Sequence, residues 1–163
     1  LGLEPGDVAC DLGAGNGYHS LRMAKVVGPE GQVLASDLQT EMLEMLENRA
    51  IEAGADNVKT LRAAPEDPRF PEDTCDLVLM VDVYHELSNP PAVLDEIRSA
   101  LAPGGRVAVV EYRAEDPEVP IKPRHKMTKA QVERELESNR FRLASSFDEL
   151  PWQHLLFFVP EGE

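Results

Sequence analysis

Positive charge is scarce in this chain of 163 residues. Its 16 Lys and Arg stand against 30 Asp and Glu, for a formal charge of −14 at pH 7. Nothing obvious would neutralise a phosphate backbone, which argues against nucleic acid as the main partner. The one basic cluster, Lys122, Arg124, His125 and Lys126 with Lys129 beyond it, is short, and a solvated loop is its plainest reading. Long apolar runs are missing as well. None approaches 18 residues, so no membrane-spanning segment is expected. The opening Leu1-Gly2-Leu3-Glu4-Pro5-Gly6 lacks the basic and apolar regions of a signal peptide. There are only two cysteines, Cys10 and Cys75, each inside an apolar run and neither in a C-x-x-C pair. Buried free thiols in a reducing cytoplasm are therefore expected. Repeats, low-complexity stretches and Ser-His-Asp or Cys-His constellations are absent too. What remains is an ordinary apolar content of 42% in a length that suits one domain, residues 1–163, with a real core.

Glycine, by contrast, is concentrated early. Val8-Ala9-Cys10-Asp11-Leu12-Gly13-Ala14-Gly15-Asn16-Gly17 joins an apolar run to three alternate glycines, and Tyr18-His19-Ser20-Leu21 leads into helix-forming residues. This reads as a buried strand, a tight turn and a helix start, the place where α/β folds hold nucleotide-like ligands. The spacing is G-x-G-x-G, not the G-x-G-x-x-G of dinucleotide-binding loops, and Asp11 stands two residues before the first glycine. A carboxylate there is a poor neighbour for a pyrophosphate. It suits a cationic ligand, such as the ammonium and sulfonium of S-adenosylmethionine.

Patterning along the chain gives alternating strands and helices. A first strand at 7–12 and a helix at 17–27, closed by Gly28-Pro29, precede a strand at 32–37 that ends in Asp37. A helix at 40–53 turns Met42, Leu43, Leu46 and Ala50 inward and stops at Gly54, and a strand follows at 57–61. The most apolar run, 75–81, suggests a strand buried on both faces of a parallel sheet. Asn89 and Pro90 start a helix whose apolar face is Val93, Leu94, Ile97, Ala100 and Leu101, and Pro103-Gly104-Gly105 leads into a strand at 106–112. After a Pro-rich loop, Thr128-x-x-Gln131 forms a capping box for a helix at 129–138. Runs at 141–147 and 152–159 have only a short connection and imply an antiparallel pair. The expected fold is a three-layer α/β/α sandwich, mostly parallel, closed by an antiparallel C-terminal hairpin.

Asp11-Leu12-Gly13-Ala14-Gly15-Asn16-Gly17 resembles the first motif of class I S-adenosylmethionine-dependent methyltransferases. The terminal hairpin is similar to the end of that family's Rossmann-like, seven-stranded sheet, and Leu101-Ala102-Pro103-Gly104-Gly105 before the fifth strand adds to a likeness covering 8–159. The resemblance implies methyl transfer from S-adenosylmethionine to an acceptor, with a small molecule expected. It implies cofactor contacts from Asp11, Gly13, Ala14, Gly15, Gly17 and Tyr18 in the loop, and from Asp37 and Leu38 after the second strand. Glu66 and Asp67 after the third strand, and Asp82 after the fourth, complete that set. It also implies that helices preceding the first strand in longer relatives are absent here.

Asp37 stands 24 residues beyond Gly13 and can accept hydrogen bonds from both ribose hydroxyls, though a turn or N-cap acid is the plainer alternative. Glu66 is placed at the adenine-binding acid by counting back from Phe70-Pro71. The family more usually has Gly-Asp where this chain has Pro65-Glu66, and a solvated loop acid is the alternative. Asp82-Val83-Tyr84-His85-Glu86-Leu87 leaves the central strand and resembles a set of bacterial methyltransferases of undefined substrate, which makes His85, Asp82 and Tyr84 the catalytic candidates. His85 is either a general base for a hydroxyl or amine or a structural histidine. Tyr112, Lys122, Arg124 and His125 are acceptor-side candidates with plainer readings as core-edge or loop residues, and His154 reads as structural. Asp82, Glu86 and Glu111 match no metal spacing, so no metal is expected.

Methyl transfer requires mainly alignment and exclusion of water, so the missing catalytic triad does not count against it. Two rivals remain: a domain that binds S-adenosylmethionine without turnover, and an NAD(P)-dependent oxidoreductase, which the glycine spacing, Asp11 and the hairpin oppose. The residues leave the acceptor and the oligomeric state open.

Overall fold

A computed structural model describes residues 1–162. The first half of the chain forms β1 (Val8–Leu12), α1 (Ser20–Val27), β2 (Gln32–Asp37), α2 (Thr40–Ala53), β3 (Val58–Arg62) and β4 (Cys75–Val81). The second half forms α3 (Pro90–Ala100), β5 (Leu101–Arg113), β6 (Lys126–Met127), α4 (Lys129–Glu137), β7 (Phe141–Phe147) and β8 (Gln153–Pro160). Short 3-10 turns occupy Tyr84–Glu86 and Pro123–His125.

The sheet runs β3-β2-β1-β4-β5-β8-β7. β1 to β5 are parallel, whereas β8 runs antiparallel to both β5 and β7. The expected sandwich and hairpin are thus present. β4 is central, and successive side chains point to opposite faces. Leu77 and Leu79 pack with Met23, Ala24 and Val27 of α1, while Val78 and Met80 pack with Val93, Leu94 and Ile97 of α3 and with Leu136 of α4. Among the described residues no helix is long and apolar enough to cross a membrane.

Several local expectations shift for identifiable reasons. α1 starts at Ser20 rather than 17, because Gly13, Gly15 and Gly17 all have positive φ and Gly17 at +84° cannot join a right-handed helix. β5 starts at Leu101 rather than 106. Gly104 takes φ +79°, and a Cβ on Gly105 would lie 2.6 Å from the Cys75 carbonyl, so only this glycine pair lets Leu101 reach Cys75 across a bulge. Asn89 does not cap α3, since its amide donates instead to Glu66 Oε1 at 2.9 Å. Half of the capping box at α4 forms: Thr128 Oγ1 accepts from the Gln131 amide at 3.1 Å, but the Gln131 side chain turns to Glu135. The short β6, pairing parallel with Tyr112 and Arg113, is an eighth strand that the patterning did not reveal.

The cysteines correct a second expectation. Cys10 and Cys75, both fully buried, are joined in a disulfide with a Cα–Cα distance of 5.9 Å, and no free cysteine remains among the described residues. β1 and β4 are adjacent only because the chain crosses the sheet between them, a juxtaposition that 65 residues of separation conceal. The argument for a reducing compartment from free thiols therefore falls. Protein denatured without reductant should titrate no free thiol, and reduction should lower the urea midpoint by the equivalent of about 2–5 kcal/mol. Two thiols titrating in the unreduced protein would refute the link.

Candidate active site

Chain order along the sheet reverses at β1. From there β2 and β3 extend to one side and β4 and β5 to the other, which opens a crevice between the carboxyl ends of β1 and β4. A cavity of about 390 Å³ lies there, walled by Leu12 and Gly13, by Asp37 to Gln39, by 63–65 and 67–68, and by Val81, Asp82, Val83 and Glu86. Its size suits a small ligand or cofactor. A larger depression of about 590 Å³ lies at the opposite strand ends around Gly28, Gly31 and Gly54, away from every candidate residue.

The three glycines do different things. A Cβ on Gly13 would overlap the Val83 side chain, and one on Gly17 would lie 2.6 Å from Leu46 Cγ. Gly15, at φ +54°, has open space where its Cβ would be. Its N–H donates to Asp37 Oδ2 at 2.9 Å, and the Gln39 N–H donates to Asp37 Oδ1 at 2.8 Å. Each carboxylate oxygen keeps a further lone pair on the cavity side of the strand, which fits a ribose diol against a bare glycine backbone.

The other acids differ in setting. Asp11, 3% exposed, lies under the loop and off the cavity wall, where its Oδ2 accepts from Ser20 Oγ at 2.5 Å. Burial pushes its carboxyl from 3.8 up to about 6, against the Ser20 hydrogen bonds and with a small addition from the Asp37 charge. Asp82 borders the cavity in the left-handed region at φ +54°, which asparagine and aspartate tolerate best. Gln153 Nε2 donates to both its oxygens, at 3.1 and 2.8 Å, and burial raises its pKa. Glu66 is exposed and bound to Asn89, whereas its neighbour Asp67 reaches the wall, paired with Arg69 at 3.1 Å.

Beside the cavity stands a buried pair. His85 Nδ1 lies 2.7 Å from Glu111 Oε2, and the His85 backbone N–H donates to Glu111 Oε1 at 3.1 Å. Glu111 is 1% exposed; burial raises its pKa and the His85 contacts oppose that rise. His85 Nε2 faces His125 Nδ1 at 3.1 Å, and Arg124 Nε donates to His125 Nε2 at 3.0 Å. Because Arg124 donates to His125 Nε2, the His125 proton sits on Nδ1 and is donated to the His85 Nε2 lone pair. An acceptor's proton reaches that lone pair only when His125 turns aside.

The structure thus brings Gly13, Gly15, Asp37, Leu38, Asp67 and Asp82 to the cavity; His85 lies off the wall, in the turn between the wall residues Val83 and Glu86. Ala14 and Gly17 are buried against Leu46, and Tyr18 is 55% exposed under the Arg22 guanidinium. Tyr84 is corrected: it is 2% exposed in the core, and burial, with the Glu135 carboxylate close to its hydroxyl, raises its pKa. Gln153, Ser20 and Gln39 were not foreseen, and no pattern in the chain marks them. Glu111 and His125 were visible as residue types but not as partners of His85.

Residues 3–154 match a family model described as a methyltransferase domain. The ubiquinone/menaquinone biosynthesis C-methyltransferase UbiE of Ectopseudomonas mendocina is 30% identical over 112 residues, 68% of this chain and 44% of that protein. UbiE of Cupriavidus taiwanensis is 32% identical over 111 residues, 68% of this chain and 45% of its own. The chain spans less than half the length of these relatives. Among solved structures, a SAM-dependent methyltransferase from Aquifex aeolicus matches with a TM-score of 0.90 at 25% identity, over 96% of this chain and 84% of that one.

The raised Asp11 carboxyl has a thermodynamic consequence. Between pH 4 and 6 the folded state holds a proton on Asp11 that the unfolded state has released, so stability falls as pH rises through this window. The full effect is on the order of 3 kcal/mol. Asp11→Asn keeps an acceptor for Ser20 and should flatten the fall of melting temperature with pH relative to the parent. Parallel curves for the two proteins from pH 4 to 7 would show that Asp11 is not perturbed.

Proposed function

Because the chain belongs to the methyltransferase-domain family, we propose that it is an S-adenosylmethionine-dependent methyltransferase and that it methylates a small-molecule acceptor bearing an ionisable group, with His85 taking the acceptor's proton. The Glu111–His85 pair beside the cavity carries this reading. Glu111 holds the imidazole by its ring and its backbone N–H, and stabilises the imidazolium that forms on proton uptake.

When bound, S-adenosylmethionine supplies a methyl group already activated on a sulfonium. The chain's task is then to orient and to exclude water. Asp37 and the Gly15 backbone are proposed to hold the ribose, and Asp67 with the 63–65 wall to border the adenine. Asp82, kept in place by Gln153, is proposed to face the positively charged end of the cofactor. Tyr84 has no part in this set. C-methylation, the reaction named for the UbiE relatives, fits an acceptor whose ring hydroxyl gives up a proton. The neighbouring carbon takes the methyl group as the methyl's bond to sulfur breaks, and the displaced ring C–H proton then returns to the oxygen.

Calorimetric titration tests the cofactor half. S-adenosylhomocysteine should bind and NAD should not, and Asp37→Ala should weaken binding by about 1–3 kcal/mol, the cost of stranded hydrogen-bond partners. Binding of NAD alone would sink the reading. The acceptor half is tested by turnover against a panel of phenols, hydroquinones and amines. His85→Ala should lower turnover roughly 10²–10⁴-fold with cofactor affinity unchanged. Cofactor binding without turnover of any panel member would favour a binding domain instead.

A further inference from the structure

We propose that His85, His125 and Glu86 form a site for a divalent first-row transition cation, Zn²⁺ or a close analogue, at the acceptor side of the cavity. The inference deepens the methyltransferase reading and rests on it for the cation's role, but not for its binding.

Three donor atoms converge. His85 Nε2 is 3.1 Å from His125 Nδ1 and 3.8 Å from Glu86 Oε1, and one ligand atom from each of the three residues falls within 4.8 Å of the others. A cation about 2.0–2.1 Å from each ring nitrogen spans such an N–N edge with a near-tetrahedral angle. The Glu86 side chain is 65% exposed and can close the remaining distance by rotation. His85 is already oriented as a ligand, because a buried carboxylate on its second nitrogen fixes the ring and raises the basicity of the first. His125 is positioned independently, since the turn that carries it runs into β6 and β6 is paired with the end of β5.

The donor set chooses the metal. Two imidazoles and one carboxylate suit Zn²⁺, Co²⁺ or Fe²⁺ better than Mg²⁺ or Ca²⁺, which prefer all-oxygen shells. Three protein ligands leave a coordination position open, the arrangement of a catalytic rather than a structural site. Glu86 also lines the cavity, so the open position faces the region where an acceptor lies. A cation there would favour the anionic form of an acceptor oxygen or thiol, its proton leaving to solvent; with Nε2 on the cation, His85 then acts as a ligand in place of its role as proton acceptor. That narrows the acceptor class to metal-coordinating hydroxyl or thiol compounds.

One contact opposes the site. Arg124 donates to His125 Nε2, which requires the proton on Nδ1, whereas a cation on Nδ1 requires it on Nε2. Arg124 is exposed and can swing away, so its removal should help the cation.

The test is Co²⁺ titration of the chelator-treated full chain, disulfide intact, read by visible d–d bands and by competition with Zn²⁺. One equivalent should bind. His85→Ala and His125→Ala should each weaken binding at least about tenfold, Glu111→Gln by roughly 10–100-fold, Glu86→Gln severalfold, and Arg124→Gln should tighten it. His125→Ala and Glu86→Gln alter surface turns, so the test stands even if His85→Ala fails to fold. No stoichiometric binding, or binding unchanged in His125→Ala, overturns the site. S-adenosylhomocysteine titrated into the same samples separates the two ideas. Cofactor binding without Co²⁺ removes only the metal, whereas Co²⁺ binding without cofactor leaves the metal and removes the methyltransferase reading.

Discussion

The approach of Gly13 to Val83 is the contact on which the site depends. Gly13 ends β1 and Val83 follows β4, and the space between them admits no Cβ. The Gly13 and Ala14 amides both donate to the Ser36 carbonyl, at 2.8 and 3.0 Å, which ties the same loop to the end of β2. Three strand ends are thereby drawn into one crevice by a few backbone atoms. Gly17 repeats the device against Leu46 of α2, and Gly15 between them is left facing open space. The alternate glycines are therefore two packing contacts flanking one open position on the cavity wall.

Around that crevice the chain gathers acids and pairs none of the central ones with Lys or Arg. Asp11 is held by Ser20, Asp37 by two backbone amides, Asp82 by Gln153 and Glu111 by His85. Hydroxyl and amide dipoles satisfy hydrogen-bonding capacity but do not cancel charge, and burial raises the carboxyls of Asp11, Asp82 and Glu111, for Glu111 against its contacts with His85. A cationic ligand relieves the cost of ionising them there, and a cofactor with ammonium and sulfonium groups is such a ligand. The buried link between Cys10 and Cys75 ties together β1 and β4, the strands that carry Asp11 and lead into Asp82.

What was legible in the sequence was local. The Gly loop, Asp37 and the parallel order follow from periodicity and from residues within one turn of each other. Of the two adjacent acids expected after the third strand, Asp67 lines the cavity and Glu66 does not, a choice that counting could not make because an irregular loop has no period. Tyr84 was misplaced for a geometric reason. In a 3-10 turn successive side chains point about 120° apart, so Tyr84 enters the core, His85 meets Glu111 and Glu86 borders the cavity. Adjacency in sequence suggested a shared role that the turn forbids. The disulfide and β6 escaped because each is made by pairing distant segments.

The same distinction divides the two ends of the site. The proposed cofactor end is encoded in short spans, 11–17 and 37–39, whose backbone bonds shape the loop and the cavity wall. Substitutions there act on folding and binding together. The proposed acceptor end is assembled from His85, Glu111 and His125, the last two 26 and 40 residues from His85 along the chain. Its outer member rides on 114–125, a segment whose return to the sheet is the two-residue β6. Changes in that segment leave the glycine loop and its contacts in place while altering what can sit against His85. Cofactor choice is thus bound to the stability of the fold, and acceptor choice is largely free of it. A local reading could therefore reach the first and not the second.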